Sequence, residues 1–434
     1  MLQSFLTPEL QEMVSDTSTD IHDVLSLGYI SKSARIGFSS VIDYLVAHSH
    51  DILNYAFKDE KSVVSTNAYA ILSLGNPQIL KPILDDSSFQ NTALEILSKE
   101  SVPQFTIGRL SSLTLTLLTN LPEQATESCG FIYHLLKYCE NPGVFNFFET
   151  ICSADPKYEL TQKWLNEMGF SEYLLRELDK IDFSYESQEA NKYKDSIYIR
   201  CLCFYKLIGK CCDNPIMVES FQSEHVVDSL SQAFPNEPSF IRSARWDSIS
   251  AITSQKTAVF LLKKLFQTAV DILMEQFDRL LAYRVSALTF ITKMLTIAPL
   301  SFELLLQSSM PQLLIHIVVQ FPYSTFLHSA FLKFVEVGLT HLQFAIKIVG
   351  CYTPVIIDIA EDRKNRILSP CCIKMLEMFL EKAKTNKEIS QVLNETPGIA
   401  KFVRGTMKEY QKLVDTPYGE PQTGVLKMIR NIFN

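Results

Sequence analysis

The sequence has little glycine and none of the short motifs that mark common catalytic sites. It contains 14 glycines in 434 residues, whereas an average usage of about 7% would give roughly thirty. Glycine-rich phosphate loops and hairpin-rich β folds are therefore disfavoured. The patterns GxSxG, GxGxxG and HExxH, a Walker loop and a kinase signature are also missing. The motif-based evidence for an enzyme is thus lacking, and we expect a noncatalytic protein.

Excess positive charge and long uninterrupted apolar runs are lacking as well. The chain carries 40 Lys and Arg against 48 Asp and Glu, a formal net charge of −8. Such a chain repels a phosphate backbone at long range, so nucleic acid is not the expected partner. Its most apolar windows are interrupted by Pro311, His316, Lys347 and Pro354, short of the ~20 apolar residues that span a bilayer. The N-terminus has no basic start of an export signal. We expect no membrane span and a cytoplasmic location, with the nucleus left open.

The ten cysteines form no CxxC pair, a usage typical of reduced, intracellular proteins. Cys201, Cys203, Cys211 and Cys212 lie close together in the sequence and could form a metal-ligand cluster. Their stretch is amphipathic, however, and cysteine commonly serves as a small buried hydrophobic residue. Core packing is the favoured interpretation, and we expect neither a metal nor another cofactor.

Helical spacing of apolar residues dominates what is present. Prolines 82, 103, 122 and 142 lie about twenty residues apart, and each interval fits one helix and a turn. Two such helices make a unit of about forty residues, the length of a HEAT or armadillo-type repeat. The prediction is an all-α, right-handed α-solenoid of armadillo- or HEAT-like helical repeats, forming a single domain over residues 1–434.

One helical hairpin and two irregular segments can be placed within this pattern. The stretch QKWLNEMGFSEYLLREL predicts a helix that carries Trp164 and ends at Gly169, followed by a second helix. Residues 182–196 and 234–248 are polar and lack a clean period. They are predicted to be loop insertions and candidate contact surfaces.

The second of these segments contains a candidate partner-binding group, Arg242, Arg245 and Trp246. Arginine and tryptophan are enriched at protein-binding hot spots. The alternative is that the indole is packed under a neighbouring element, and this alternative is favoured.

The stretch FPYSTFLHSAFLKF, residues 321–334, combines a proline, aromatic residues and a histidine at the start of an apolar run. Leu327, Phe331, Phe334 and Val335 follow the i, i+4, i+7, i+8 spacing of a core-facing helical stripe. His328 lies at the flank of this stripe. It is interpreted as a hydrogen-bonded helix residue rather than a catalytic base.

The order of several segments resembles the SAPS family, the regulatory subunits of phosphatase-6-type Ser/Thr protein phosphatases. The run YSTFLH (323–328) is similar to the family's Trp-Asn-Asn-Phe-Leu-His, with Ser and Thr in place of the asparagine pair. WLNE (164–167) stands where the family has the same tetrapeptide. The stretches NAYAILSLGNPQILKPIL and NLPEQATESCGFIYHLLKY resemble two further family helices. The resemblance covers roughly residues 20–345 and is that of a divergent member.

This resemblance implies a noncatalytic regulatory or scaffolding subunit. Such a subunit binds a phosphatase-2A-like catalytic subunit and directs the choice of phosphoprotein substrate. Further regulatory subunits could bind in the same complex. The resemblance also suggests Tyr323 and His328 as partner-binding residues, beside Arg242, Arg245 and Trp246. An armadillo-type adaptor for protein transport or membrane traffic, which would bind extended peptides in a similar groove, is the alternative.

Overall fold

The structure is a computed structural model that describes residues 7–16, 18–58, 62–181, 190–234, 237–361, 367–408 and 412. Within these residues it contains 26 α-helices, a few short 3₁₀ and π segments, and no strand. The all-α prediction is confirmed.

The chain divides into two compact units, Met1–Thr257 and Ala258–Asn434, where the sequence predicted a single domain over 1–434. The first unit contains the following helices: α1 Pro8–Ser15, α2 Ile21–Ser26, α3 Ile30–Ile36, α4 Ser39–Ala47, α5 Ser49–Ala56, α6 Val63–Leu72, α7 Pro77–Asp85, α8 Ser88–Leu97, α9 Gln104–Asn120, α10 Pro122–Ser128, α11 Pro142–Ile151, α12 Glu159–Glu167, α13 Phe170–Asp179, α14 Ala190–Cys212, α15 Glu224–Ser231 and α16 Ser239–Ile252. The second contains α17 Ala258–Leu261, α18 Gln267–Met274, α19 Ala282–Ile297, α20 Leu300–Gln307, α21 Met310–Gln320, α22 Thr325–Gly338, α23 Leu342–Glu361, α24 Ser369–Thr385, α25 Lys387–Glu395 and α26 Ile399–Phe402.

Each helix packs mainly against helices that are close to it in chain order. In the first unit α5 contacts α6, α7 and α8, α9 contacts α11, and α14 contacts α16. In the second, α19 contacts α22, α21 contacts α23, and α22 contacts α24. Contacts restricted to near neighbours are the mark of a helical-repeat array, because each repeat buries its apolar face only on adjacent repeats. The fold class is therefore an all-α helical-repeat solenoid, and its right-handed sense stays a prediction.

Proline marks several of the predicted helix starts. Pro122 and Pro142 occupy the first position of α10 and α11, where the missing N–H costs nothing, and Pro103 immediately precedes α9. The boundary expected at Pro82 is wrong, because this residue lies inside α7. That helix instead begins at Pro77, with the Asn76 side chain accepting from the Gln78 N–H at 2.9 Å.

The predicted hairpin at Trp164 is confirmed. Helix α12 ends at Glu167, and Gly169 follows with a φ of 76°, a left-handed conformation that glycine adopts without strain. Helix α13 then begins at Phe170 and buries Phe170, Leu174 and Leu178.

At the C-termini of α5 and α20, free carbonyls are bound by side chains from later helices. Arg109 of α9 donates to the Ala56 carbonyl at the end of α5, at 2.8 Å. Lys347 of α23 donates to the carbonyls of Leu306 and Ser308, at 2.7 and 2.9 Å, at the end of α20. These donors satisfy carbonyl groups that the helices leave unpaired, and their positive charge opposes the negative end of the helix dipole. They therefore help to fix the position of α9 against α5 and of α23 against α20.

Parts of both predicted loop insertions are helical in the structure, which contradicts the prediction there. Of the first, residues 182–189 lie outside the described residues, and residues 190–196 belong to α14. Of the second, residues 239–248 form most of α16. The segment lacks a clean apolar period because Arg245, which forms a buried ion pair, and the buried Ser248 and Ser250 occupy core positions of α16.

Candidate partner-binding site

The stretch resembling the family motif begins in a turn and continues as the first turn of α22. The Ser324 hydroxyl accepts from the Leu327 N–H at 3.4 Å and so caps the helix. Leu327 is buried, whereas Tyr323 and Phe326 are 78% and 81% exposed. The helix start thus places one apolar side chain in the core and two aromatic rings in solvent.

The remainder of α22 packs as the sequence predicted. Phe331, Phe334 and Val335 are fully buried. The Phe331 ring lies 5.4 Å from Tyr352, and that of Phe334 lies 5.8 Å from Phe344. These contacts hold α22 on α23, so the motif rests on a packed frame.

The turn before Tyr323 is held by its neighbours in the same unit. The Phe321 ring stacks on Phe277 at a centroid distance of 5.5 Å and an interplanar angle of 7°. The Arg284 guanidinium lies 3.9 Å from the centre of the Phe277 ring. It also donates hydrogen bonds to the Ile272 carbonyl and the Glu275 carboxylate. A stacked and ion-paired support limits the motion of the turn, so the exposed aromatics need little ordering when a partner binds.

Of the two predicted partner-binding residues here, Tyr323 in the turn is exposed, whereas His328 in the first turn of α22 is only partly accessible. His328 is half-buried, and its Nε2 atom is buried without a hydrogen-bond partner. Burial lowers the pKa of His328, while a hydrogen bond with the Phe321 backbone opposes this effect. The sequence missed Phe326, which is exposed because it lies off the stripe of Leu327 and Phe331.

The buried position of His328 predicts a pH dependence of stability. When the pKa of a histidine is lower in the folded chain than in the unfolded chain, the unfolded chain binds the proton at a higher pH. Lowering the pH then favours unfolding. Stability should therefore fall as the pH drops from about 7 through the ordinary histidine pKa of about 6.5. We expect a modest fall in the wild type and a smaller one in His328→Gln, measured by hydrogen exchange of α22 between pH 7.5 and 5.5.

The control for this experiment is His316→Gln, at an exposed position of α21. This control tests whether replacing any histidine reduces the dependence of stability on pH. If the His328→Gln protein keeps the wild-type pH dependence, the role assigned to His328 burial is wrong.

The other predicted group, Arg242, Arg245 and Trp246, lies on α16 in the first unit. Trp246 is fully buried, which confirms the alternative of a packed indole. The Arg245 guanidinium binds the Glu237 carboxylate at 2.9 and 3.0 Å, and both side chains are about 95% buried. Arg242 is half-buried. Neither Arg245 nor Trp246 is presented at the surface, so the group does not form an exposed hot spot.

The cysteine stretch of α14 is part of the core. Cys201, Cys203 and Cys211 are buried and Cys212 is half-buried, which confirms the packing interpretation. Burial raises the pKa of Cys203 to about 11 and that of Cys201 to about 12, so the thiols stay protonated. Among the described residues, no group of three or more His, Cys, Asp or Glu side chains could hold a metal ion.

One helix of the described residues is long and apolar enough to cross a membrane, over Leu342–Ala360 in α23. The helix continues through Pro354, which was expected to interrupt it. Half of its most apolar window is buried inside the protein. Helices α20 and α21 pass the same test only as a pair bent by 75°.

Comparison with known proteins gives a structural likeness alone. No protein-family model and no curated protein sequence matches the chain. A structure solved in work on a phosphorylation switch that controls the interaction between cadherin and β-catenin matches with a TM-score of 0.41 and 12% identity. The match covers 86% of this chain and 68% of the other. A TM-score this low supports neither the fold nor a partner, so the fold rests on the helices and their contacts.

Proposed function

We propose that the chain is a noncatalytic regulatory or scaffolding subunit, acting in the cytoplasm, that binds a phosphatase-2A-like catalytic subunit of the phosphatase-6 type. The observation that carries the proposal is the exposure of Tyr323 and Phe326 within the segment that resembles the SAPS motif. Both rings stand on a supported turn at the start of a packed helix.

Exposed aromatic rings in neighbouring positions favour protein binding over a purely structural role. The rest of the solvent-facing side of α22 carries polar residues such as Ser329, Lys333 and Glu336. A folded protein gains nothing by placing two large rings in water, and tyrosine and other aromatics are enriched at the centre of protein interfaces. Truncating such an anchor typically costs about 2 kcal/mol or more of binding free energy.

In this proposal the chain acts by positioning. Binding to the catalytic subunit and to a phosphoprotein would hold the two at high effective concentration, which changes substrate choice without any new bond chemistry. The metal ions and the nucleophilic water would belong to the catalytic subunit.

The experiment compares the wild type with Tyr323→Ser/Phe326→Ser. The tagged full chain is isolated from cells, and its stoichiometric partners are identified by mass spectrometry. We expect a phosphatase-2A-like catalytic subunit with the wild type and at least a tenfold loss with the double variant. Val259→Ser, which changes a 69% exposed apolar residue of α17, is the matched control and should keep the partner.

Two results would overturn the proposal. One is a coat or nuclear-import component in place of the phosphatase, which would favour the transport adaptor. The other is a double variant that retains the phosphatase at wild-type stoichiometry, which would remove the role of the exposed aromatic pair.

A further inference from the structure

A groove in the first unit lies between helices α5, α8 and the start of α9. Its volume is about 860 Å³, within the range of roughly 300–1,000 Å³ typical of ligand sites. Its apolar lining includes Phe57, Ile96, Val102 and Phe105. None of these residues belongs to the aromatic pair of the second unit, so the groove is a separate feature.

The groove is locally basic in a chain whose net charge is −8. Lys58 and Lys99 line it together with one acid, Glu95. The Lys99 ammonium lies 3.3 Å from Glu95, with both side chains more than half exposed, and the Lys58 ammonium lies 4.3 Å from the centre of the Tyr55 ring. Contacts as exposed as the Lys99 pair contribute about 0–1 kcal/mol, so the ammonium groups can exchange them for a ligand carboxylate.

The start of α9 adds to the favourable potential for negative charge. This 17-residue helix has no side-chain cap and no acid in its first turn, and Pro103, Phe105 and Thr106 at its start line the groove. The positive end of the helix dipole therefore lines the same groove as the two lysines.

The apolar wall of the groove is held in place from below. Arg109 donates to the Ala56 carbonyl and the Ser65 hydroxyl, each at 2.8 Å. Its guanidinium lies 5.4 Å from the Phe105 ring centre and 4.9 Å from that of Tyr69. A cation fixed by two hydrogen bonds restrains the Phe105 ring, so the groove is formed before any ligand binds.

We propose that this groove binds a short extended peptide of a partner protein, which places a large apolar side chain beside Phe57 and Phe105 and acidic side chains at Lys58 and Lys99. The apolar lining supplies affinity, and the two lysines select acidic over basic sequences. The inference stands on the first unit alone and does not depend on the phosphatase proposal.

The test measures fluorescence anisotropy of labelled nine-residue peptides with the full chain. One probe alternates Asp or Glu with Phe or Leu, and a second replaces every acid by Lys. We expect saturable binding of the acidic probe, at least tenfold tighter than that of the basic one. Lys58→Glu/Lys99→Glu should weaken the acidic probe at least tenfold. Phe105→Ala should weaken both probes, with its folding checked by circular dichroism.

The matched control is Lys163→Glu/Lys180→Glu, which makes the same change in net charge at lysines that are about 60% exposed elsewhere in the unit. It should bind the acidic probe within about twofold of the wild type, as should Tyr323→Ser/Phe326→Ser. If both pairs of lysine substitutions weakened binding of the acidic probe equally, binding would depend on the net charge of the protein and not on the groove. This result would overturn the proposal. So would absence of saturable binding, tighter binding of an RNA oligonucleotide, or a self-association that Lys58→Glu/Lys99→Glu abolishes.

Discussion

Replacing Arg245 by methionine is expected to destabilise the unit Met1–Thr257 by about 3–5 kcal/mol, because it leaves the Glu237 carboxylate buried without its partner. The guanidinium binds both carboxylate oxygens, at 2.9 and 3.0 Å, and also donates to the Leu230 carbonyl at 3.3 Å. Its side chain is 4% exposed and that of Glu237 is 5% exposed. Water therefore cannot replace the lost contacts, and the cost should lie near the upper end of single-substitution effects.

The measurement is urea unfolding followed by tryptophan fluorescence. The sequence contains two tryptophans, Trp164 and Trp246, and both lie in this unit, so the signal reports its unfolding separately from the second unit. The control is Lys163→Met, which removes an ion pair of 2.6 Å between Lys163 and Glu159 whose side chains are more than half exposed. This control should cost less than about 1 kcal/mol.

The double variant Arg245→Met/Glu237→Leu distinguishes two contributions to this loss of stability. One is the loss of the ion pair itself, and the other is the cost of leaving the Glu237 charge buried and unpaired. An apolar pair of similar volume removes both buried charges, so it should recover most of the stability that Arg245→Met loses. A single variant that unfolds at the wild-type urea concentration would show that Glu237 reaches water, in conflict with the buried pair.

The same ion pair explains why the sequence predicted a loop where α16 is found. Periodicity methods count charged and hydroxyl residues as solvent-facing. In α16, Arg245 is buried by its ion pair, and Ser248 is buried by a hydrogen bond to the Tyr205 carbonyl at 2.8 Å. The Glu237 carboxylate and the Tyr205 carbonyl lie outside the helix, 8 and 43 positions before the residues they bind, and Ser248 also donates to the Ala244 carbonyl within α16 at 2.9 Å. The spacing within α16 could not reveal these partners, whereas the buried face of α22, formed by the apolar residues Leu327, Phe331, Phe334 and Val335, was predicted correctly.

The candidate site was predictable only in part for a related reason. The apolar spacing of Leu327 and Phe331 determines which face of α22 is buried, so that face could be predicted from the sequence. Whether a ring off the stripe, such as Phe326, lies in solvent or beneath another helix depends on what packs there. The stack of Phe321 on Phe277, 44 positions apart, likewise requires the folded unit.

Phe331→Ala and Phe326→Ala should differ sharply, although the two residues are five positions apart on one helix. Phe331 is fully buried against Tyr352, whose hydroxyl donates to the Pro311 carbonyl at 2.6 Å. Truncating the Phe331 side chain leaves a cavity beside Tyr352, and the hydrogen bond of Tyr352 to Pro311 hinders its movement into that cavity. The expected cost is about 3–5 kcal/mol of stability. Phe326 is 81% exposed, so its truncation should change stability by less than about 0.5 kcal/mol.

Hydrogen exchange of the peptides covering α22 and α23 measures both effects, because the second unit has no tryptophan. Exchange in Phe331→Ala should accelerate by at least a hundredfold, the ratio that about 3 kcal/mol gives at 25 °C, while Phe326→Ala should exchange like the wild type. A loss of protection in Phe326→Ala would mean that its ring supports the fold. The exposed pair could then no longer be assigned to partner binding, since any lost binding would follow from lost structure. Retained protection together with lost partner binding would separate the two roles of this helix: Phe331 holds it in place, and Phe326 faces the partner.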